Sequence, residues 1–312
     1  MQPSKRFYRL KGWILYKTAQ NSLSPDAYEI HRLIETAGKK GIDIEVVSPD
    51  LFDLLVTRED RKSILLNGEV VPLPDFLLPR MGAGTSYFGM AVIRHLEKLG
   101  VYIVNSAQSI DTVKDKLYSQ QILAGHNIPV PRTMLGKYPI DDTLVEKYLK
   151  FPLVVKTLSG SMGKGIFLCE NKLQFNDLMG LIHVTSPKLN IILQEFIKSS
   201  HGKDLRVFVV GGRPIACIER KSSDNNFKAN YSRGGQVSRF SMTPEVKWLA
   251  TETARLFGLD IAGIDLLFDG KHFRVCEANS SPGFKGIESC CDIDIADEIY
   301  NFIKIRLGRF ED

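Results

Sequence analysis

Residues 260–286 read DIAGIDLLFDGKHFRVCEANSSPGFKG, and this stretch constrains the fold more than any other. Two apolar runs, Ile261–Phe268 and His272–Ala278, flank Asp269-Gly270. Asp-Gly between such runs signals a β-hairpin. The parity of that hairpin decides which side chains meet. A three-residue loop, Phe268-Asp269-Gly270 with Gly270 left-handed, pairs Leu267 with Lys271 and sets Asp265 opposite Phe273. Counting on in twos, Val275, Glu277 and Asn279 share that face. Asp265, Glu277 and Asn279 then project the same way. A two-residue loop would put Asp265 and Glu277 on opposite faces, so the inference needs an odd loop.

Two carboxylates and an amide oxygen among apolar neighbours make a site for a hard cation. Magnesium takes few protein oxygens and keeps places for water and nucleotide phosphates. Burying two carboxylates without a compensating cation is costly. The competing reading is that Asp265 faces solvent and Glu277 pairs with a lysine. Spacing alone leaves both open.

A chain of 312 residues is long for one core, so two or three subdomains are expected. The net charge of +5 suits anionic small molecules and is no nucleic-acid footprint by itself. No apolar stretch is long enough to span a membrane. The N-terminal MQPSKRFYRLKGWILYK lacks the apolar core and cleavage site of a secretory signal. Five cysteines, an odd number without CxxC spacing, argue for reduced thiols in the cytoplasm.

In chain order, Gly12–Lys17 reads as a strand, Pro25–Lys40 as a helix capped by Ser24, and Ile42–Ser48 as a second strand. This order predicts a parallel sheet. Asn67-Gly68 marks a small hairpin, and Phe76–Pro79 is a strand followed by Arg80-Met81-Gly82 at a sheet edge. A helix is expected over Tyr87–Leu99 and a buried strand over Val101–Asn105. The turn after the first strand has no glycine, which argues against a dinucleotide-binding unit.

Phe151–Lys156 is a strand ending in a lysine, and Ser159-Gly160-Ser161-Met162-Gly163-Lys164-Gly165 follows it. Such a turn can fold over phosphates with its N–H groups free. It is not a P-loop. Gly165 replaces the Ser or Thr, and the strand Ile166–Cys169 replaces the helix. A plain hairpin turn is the alternative. Lys156 weighs against it, because an unpaired lysine in a buried strand is costly. Farther on, Asp204–Val210 and Pro214–Arg220 form a hairpin across Gly211-Gly212-Arg213. Arginines such as Arg206 and Arg220 suit carboxylate and phosphate oxygens, although surface salt bridges are the commoner role.

Ile264-Asp265 with Glu277-Ala278-Asn279-Ser280-Ser281-Pro282-Gly283 resembles the metal motif of ATP-grasp ligases. Asp204-x-Arg206, Ile218-Glu219-Arg220 and Asn230-x-x-Arg233-Gly234-Gly235 resemble the RimK-type branch, whose members add glutamate to a carboxyl group. The likeness runs from about residue 90 to 307, and the first 90 residues match only in architecture. It implies an α/β (α+β) ATP-grasp fold. A pre-ATP-grasp domain would span 1–111, a central subdomain 112–198 and a C-terminal subdomain 199–312.

By the same resemblance, Asp265, Glu277 and Asn279 hold two magnesium or manganese ions that bridge the ATP phosphates. Lys116, Lys156, Lys228 and Asn230 contact phosphate, together with the loop residues Gly160, Ser161, Met162, Gly163 and Gly165. The backbone of Gln194, Glu195, Phe196 and Ile197 reads adenine, and Asp204 holds the ribose hydroxyls. Arg220 and Arg233 hold the acyl phosphate or the tetrahedral intermediate. Lys221 departs from the family, which has a second arginine there, and puts the acceptor's identity in doubt.

The implied function is an ATP-dependent carboxylate–amine ligase acting through an acyl phosphate. Its substrates would be ATP, an amino acid, first of all L-glutamate, and a carboxylate acceptor on a protein tail, peptide or small molecule. A cytoplasmic homo-oligomer that binds neither membrane nor nucleic acid is expected. The rival reading is a nucleotide-binding regulatory module without ligase chemistry.

Overall fold

The computed structural model describes residues 9–58, 64–136, 138–158, 165–186, 188–223, 227 and 235–309. Short aliphatic runs alternating with helices build the N-terminal unit. In order these are β1 (Lys11–Leu15), α1 (Tyr28–Lys39), β2 (Asp43–Val47), β3 (Phe52–Leu54), β4 (Ile64–Leu66), β5 (Glu69–Val70), β6 (Phe76–Pro79), α2 (Tyr87–Lys98) and β7 (Tyr102–Ile103). The expected parallel sheet forms in the order β2-β1-β6-β7. β3, β4 and β5 form a small antiparallel meander, turned at Asn67 and Gly68 with φ of 54° and 77°. Both positive values fit the mirror-image turn that Asn-Gly favours.

Two local expectations change. α1 starts at Tyr28 instead of Pro25. Ser24 Oγ accepts from the Asp26 N–H at 3.2 Å, which closes a turn ahead of the helix. Arg80 follows an inner strand, since β6 lies between β1 and β7.

Two helices, α3 (Ala107–Lys114) and α4 (Lys116–Gly125), lead to the central unit. There β8 (Thr133–Gly136), α5 (Asp142–Tyr148), β9 (Leu153–Thr157), β10 (Ile166–Cys169), α6 (Lys172–Thr185) and β11 (Ile191–Glu195) form an antiparallel sheet in the order β10-β9-β11-β8. The C-terminal unit holds β12 (Lys203–Val210), β13 (Arg213–Lys221), β14 (Gln236–Arg239), α7 (Pro244–Leu256), β15 (Ile261–Asp269), β16 (His272–Asn279), α8 (Lys285–Glu288) and α9 (Ile295–Arg306). Its antiparallel sheet runs β14-β13-β12-β15-β16.

The two faces of the C-terminal sheet bury different partners. On one face Phe208, Ile218 and Ile261 pack with Ile14 and Leu78 of the parallel sheet and with Ile299 and Tyr300 of α9. On the other, Val207, Ile264 and Leu266 pack with Leu249 of α7 and Leu123 of α4. The central sheet keeps its own core, in which Val145, Phe175 and Leu193 meet. A fully buried Leu, Ile or Phe is worth roughly 1.5–3 kcal/mol, so the shared cores bind the N- and C-terminal units tightly. All five cysteines are unbridged thiols. No helix among the described residues is long and apolar enough to cross a membrane.

Candidate active site

The β15–β16 hairpin turns more tightly than the sequence implied. Asp269 pairs with His272, so the loop has two residues, Gly270 and Lys271. Gly270 takes a φ of 63°, as the turn requires. Continued without interruption, this register would set Asp265 and Glu277 on opposite faces. A bulge restores the match. Leu266 pairs with Val275 and Asp265 with Glu277, leaving Cys276 as the extra residue. Asn279 then falls opposite Gly263, on the side of Glu277. Val275, expected beside the acids, lies instead in the apolar core with Leu266.

A bulge frees backbone groups that must be satisfied elsewhere. Here the Cys276 carbonyl accepts from Gln120 Nε2 of α4 at 2.9 Å, and the Val275 N–H donates to the Pro129 carbonyl at 2.8 Å. The bulge is therefore built into the packing of α4.

Four charged side chains alternate across the neighbouring strands. Asp204 lies opposite Arg220, and Arg206 opposite Asp265. Arg206 makes a bidentate bond to Asp265, with Nε–Oδ1 and Nη2–Oδ2 both 2.7 Å. Arg220 does the same to Asp204, with both distances 2.7 Å. Arg220 Nη2 also lies 2.9 Å from Asp265 Oδ2. Asp265 and Arg220 are only 4% and 6% exposed, so these are buried pairs and not surface ones.

Burial alone would raise the Asp265 carboxyl, but Arg206 and Arg220 outweigh it and hold the group down at about 2. In Asp204 burial wins over Arg220 and pushes the carboxyl up to about 6. Burial works against the Arg220 cation, but Asp265 and Asp204 raise its pKa still further.

This arrangement bears on whether a cation fits. A carboxylate has about four lone-pair sites. The bonds from Arg206 and Arg220 take three of those of Asp265, leaving one on Oδ1. Asn279 donates through Nδ2 to Glu277 Oε1 at 3.3 Å and to the Gly263 carbonyl at 3.4 Å. Its Oδ1 is then the amide atom left to act as a ligand. Arg206 and Arg220 pair with Asp204 and Asp265, while Glu277 makes no ion pair among the described residues. An all-oxygen donor set that includes the carboxylates of Asp265 and Glu277 fits a hard divalent cation. Among the described residues no three His, Cys, Asp or Glu side chains cluster as ligands, so the amide of Asn279 is needed to complete the set.

Lys156, at the end of β9, donates from Nζ to Gln194 Oε1 at 2.7 Å and lies 3.8 Å from Cys276 Sγ. Gln194 passes its own Nε2 to Thr133 Oγ1 at 3.0 Å. The ammonium thus reaches the bulge beside Glu277. Among the described residues no carboxylate lies within ion-pair distance of it. Burial pushes the Cys276 thiol up to about 11, so it sits there as a neutral group.

Asp115 is the N-cap of α4, its Oδ1 accepting from the Leu117 and Tyr118 N–H groups at 3.0 Å, and Lys116 is the first helical residue. Glu195 Oε2 accepts from Arg274 Nη1 at 2.9 Å and from the Arg132 N–H at 3.1 Å. The Phe196 ring packs edge-on against His201 and Phe227. The Ile197 carbonyl accepts from the Ser200 N–H. Gly165 takes a φ of 72° where its Cβ would meet Thr157. Gly160, Ser161, Met162, Gly163, Lys228, Asn230 and Arg233 lie outside the described residues.

The structure brings Lys156, Gln194, Asp204, Arg220, Asp265, Glu277 and Asn279 into one continuous region. Arg206, read from the sequence as an arginine suited to carboxylate or phosphate oxygens, takes the carboxylate of Asp265, and its Asp-x-Arg spacing already puts it on one strand face with Asp204.

Residues 113–303 match the family described as the RimK-like ATP-grasp domain, and residues 21–110 match the RimK PreATP-grasp domain. A probable alpha-L-glutamate ligase 1 from Shewanella amazonensis is 35% identical over 288 residues, covering 91% of this chain and 93% of that protein. A probable alpha-L-glutamate ligase from Legionella pneumophila is 34% identical over 291 residues, covering 92% and 95%. The ATP-grasp ligase PsnB, solved with a minimal precursor, superposes with a TM-score of 0.72 at 21% identity over 95% of this chain and 98% of that one. A D-alanine–D-alanine ligase from Bacillus anthracis gives 0.69 at 16% identity over 97% and 98%. These two likenesses show the fold. The chain therefore belongs to the RimK-like ATP-grasp family and is an ATP-grasp ligase, with a pre-ATP-grasp domain ahead of its ATP-grasp domain.

Proposed function

We propose that the protein joins the amine of an amino acid, with L-glutamate the first choice, to a carboxyl group through an acyl phosphate. The relatives called probable alpha-L-glutamate ligases support the choice of amino acid. The observation that carries the chemistry is the bulge at Cys276, which sets Asp265 opposite Glu277 within reach of Lys156. A tight hairpin needs no such bulge, and its effect is to gather the acids on one face.

Asp265, Glu277 and Asn279 would hold two ions of Mg2+ or Mn2+, which would neutralise phosphate charge when bound. Lys156 and Lys116 hold the phosphates, joined by the loop residues Gly160, Ser161, Met162, Gly163 and Gly165 and by Lys228 and Asn230. The backbone of Gln194–Ile197 takes adenine. Asp204 spends about two of its four lone pairs on Arg220 and keeps the rest for the ribose hydroxyls. The acceptor carboxylate attacks the γ-phosphorus, ADP leaves, and an acyl phosphate forms. The neutral amine then adds to the acyl carbon, loses its proton, and inorganic phosphate departs to leave the amide.

Arg220 commits Nε and Nη2 to Asp204 and Asp265. Its two Nη1 hydrogens remain for the oxyanion, beside Arg233. The acceptor is a protein tail, a peptide or a small dicarboxylate, and the working form is a cytoplasmic homo-oligomer.

The test is ADP release by the full chain, screened over amino acids and candidate acceptors with products read by mass spectrometry. ADP should appear one-for-one with amide and only when amine and carboxylate are both present. ADP release independent of either substrate would overturn the proposal.

A further inference from the structure

The loop Ser280–Lys285 follows Asn279 directly, and the N-terminal unit holds it at three places. Asn105, just past β7 and 1% exposed, donates through Nδ2 to the Ser280 carbonyl at 2.7 Å. It also donates to the Ile261 carbonyl at 2.8 Å and accepts from the Ile261 N–H at 2.9 Å. Its amide thus bridges the start of β15 and the end of β16, where the next rung of the ladder would fall. Arg80, at the end of β6, donates through Nη2 to the Pro282 carbonyl at 2.7 Å. Glu29 of α1 accepts through Oε1 from the N–H groups of Phe284 at 3.0 Å and Lys285 at 3.3 Å.

Arg80 is a costly residue to bury. It is 7% exposed, its guanidinium lies 5.8 Å from the centre of the Phe284 ring, and its Nε has no hydrogen-bond partner among the described residues. Among the described residues no carboxylate lies within ion-pair distance of it, and burial pushes its pKa down. A buried cation held by a neutral carbonyl and an aromatic face, with no carboxylate in pairing distance, is expensive, and an apolar side chain would pack there more cheaply. What the guanidinium gains is a fixed position for Pro282. That position matters to the hairpin, because Pro282 sits over Gly263, where a Cβ would lie 2.6 Å from the Pro282 Cβ. Gly263 is the residue opposite Asn279.

We propose that Glu29, Arg80 and Asn105 are positioning residues that clamp the loop after Asn279 and so fix the Asn279 amide at the cation site. The inference rests on the reading of Asp265, Glu277 and Asn279 as cation ligands. It adds that the pre-ATP-grasp domain tunes cation affinity from outside the ligand set. Groups that orient metal ligands typically change affinity about 10–100-fold when removed.

The experiment uses the full chain and Mn2+ as probe, with bound ion counted by electron paramagnetic resonance in the presence of ADP. Arg80→Met and the near-isosteric Asn105→Asp, which loses both N–H donors, should weaken Mn2+ binding about 10–100-fold. kcat should fall with it, while ADP affinity without metal stays at the parent value. Arg80→Lys keeps one donor toward Pro282 and should recover part of the loss. It also serves as the measured variant where Arg80→Met does not fold. Parent-like Mn2+ affinity in folded Asn105→Asp and in either Arg80 variant would overturn the clamp. Glu277→Gln is measured alongside. If it loses Mn2+ while the clamp variants keep it, the clamp alone fails. If it binds Mn2+ like the parent, the cation site itself fails and takes the clamp with it.

Discussion

The C-terminal sheet and the central sheet are both antiparallel, yet they hold their polar groups in opposite ways. The C-terminal sheet shares one apolar core with the parallel sheet and another with α4 and α7. Its acids are locked in a buried lattice of bidentate pairs. The central sheet has a core of its own. Its lysine, Lys156, rests on a neutral amide and a thiol. The first arrangement makes a rigid base for acids that must not move relative to one another. The second makes a separately folded body whose cation is ready to exchange partners. That division suits a ligase in which a nucleotide is closed between two bodies.

The sharpest way to break the comparison is to open the lattice. Arg220→Met would leave Asp204 and Asp265 short of a buried partner. Removing one member of a buried pair costs about 3–5 kcal/mol. Denaturant unfolding should show that loss, with ligation reduced as well. A loss below about 1 kcal/mol would mean the lattice is solvated like a surface pair. Phe175→Ala strikes the other body. Phe175 is fully buried in the central core, and such truncations cost about 3–5 kcal/mol. Here the loss should stay local. Amide exchange should speed up across β9–β11 while β12, β15 and β16 keep their protection. Equal loss in both sheets would show that the cores are not separate.

The sequence made the elements and the fold class legible, because strand and helix periods follow directly from side-chain burial. The Asp269-Gly270 hairpin was equally plain. Its loop length was not, since the same dipeptide closes loops of two or three residues. The bulge that corrects the parity leaves no compositional mark, because Cys276 serves as well in a regular strand. The correct face for Glu277 therefore came from two errors that cancel. Glu29, Arg80 and Asn105 were illegible for another reason. Their partners lie 156 to 256 residues away in the chain, beyond any local pattern. One signal was there. Arg80 and Asn105 each follow a strand at the carboxyl end of a parallel sheet, where ligand chemistry collects.

A smaller effect is expected from Lys156→Ala. One charge-assisted contact to phosphate is worth about 1.5–3 kcal/mol, or roughly 10–150-fold in ATP affinity. Stability should change little, because the Gln194 amide keeps Thr133. Calorimetric titration with unchanged ATP affinity would remove Lys156 from the nucleotide site.

The finest test concerns the tie between the two bodies. Arg274 on β16 reaches Glu195 at the end of β11 through Nη1 at 2.9 Å, and Asp269 through Nε at 2.7 Å. If the central sheet were welded to the base as the parallel sheet is, this contact would lie in a dry core. Instead the Arg274 side chain is 25% exposed. Water competes for the guanidinium, and an exposed pair is worth about 0.2–1 kcal/mol. Arg274→Ala should therefore lower stability by less than about 1 kcal/mol. The difference should shrink further in about 1 M salt, where the screening length falls to roughly 3 Å. A salt-insensitive loss of about 3 kcal/mol would place Arg274 in a buried lattice like that of Arg220. The two sheets would then be one rigid body, and closure over the nucleotide would have to come from the loops instead.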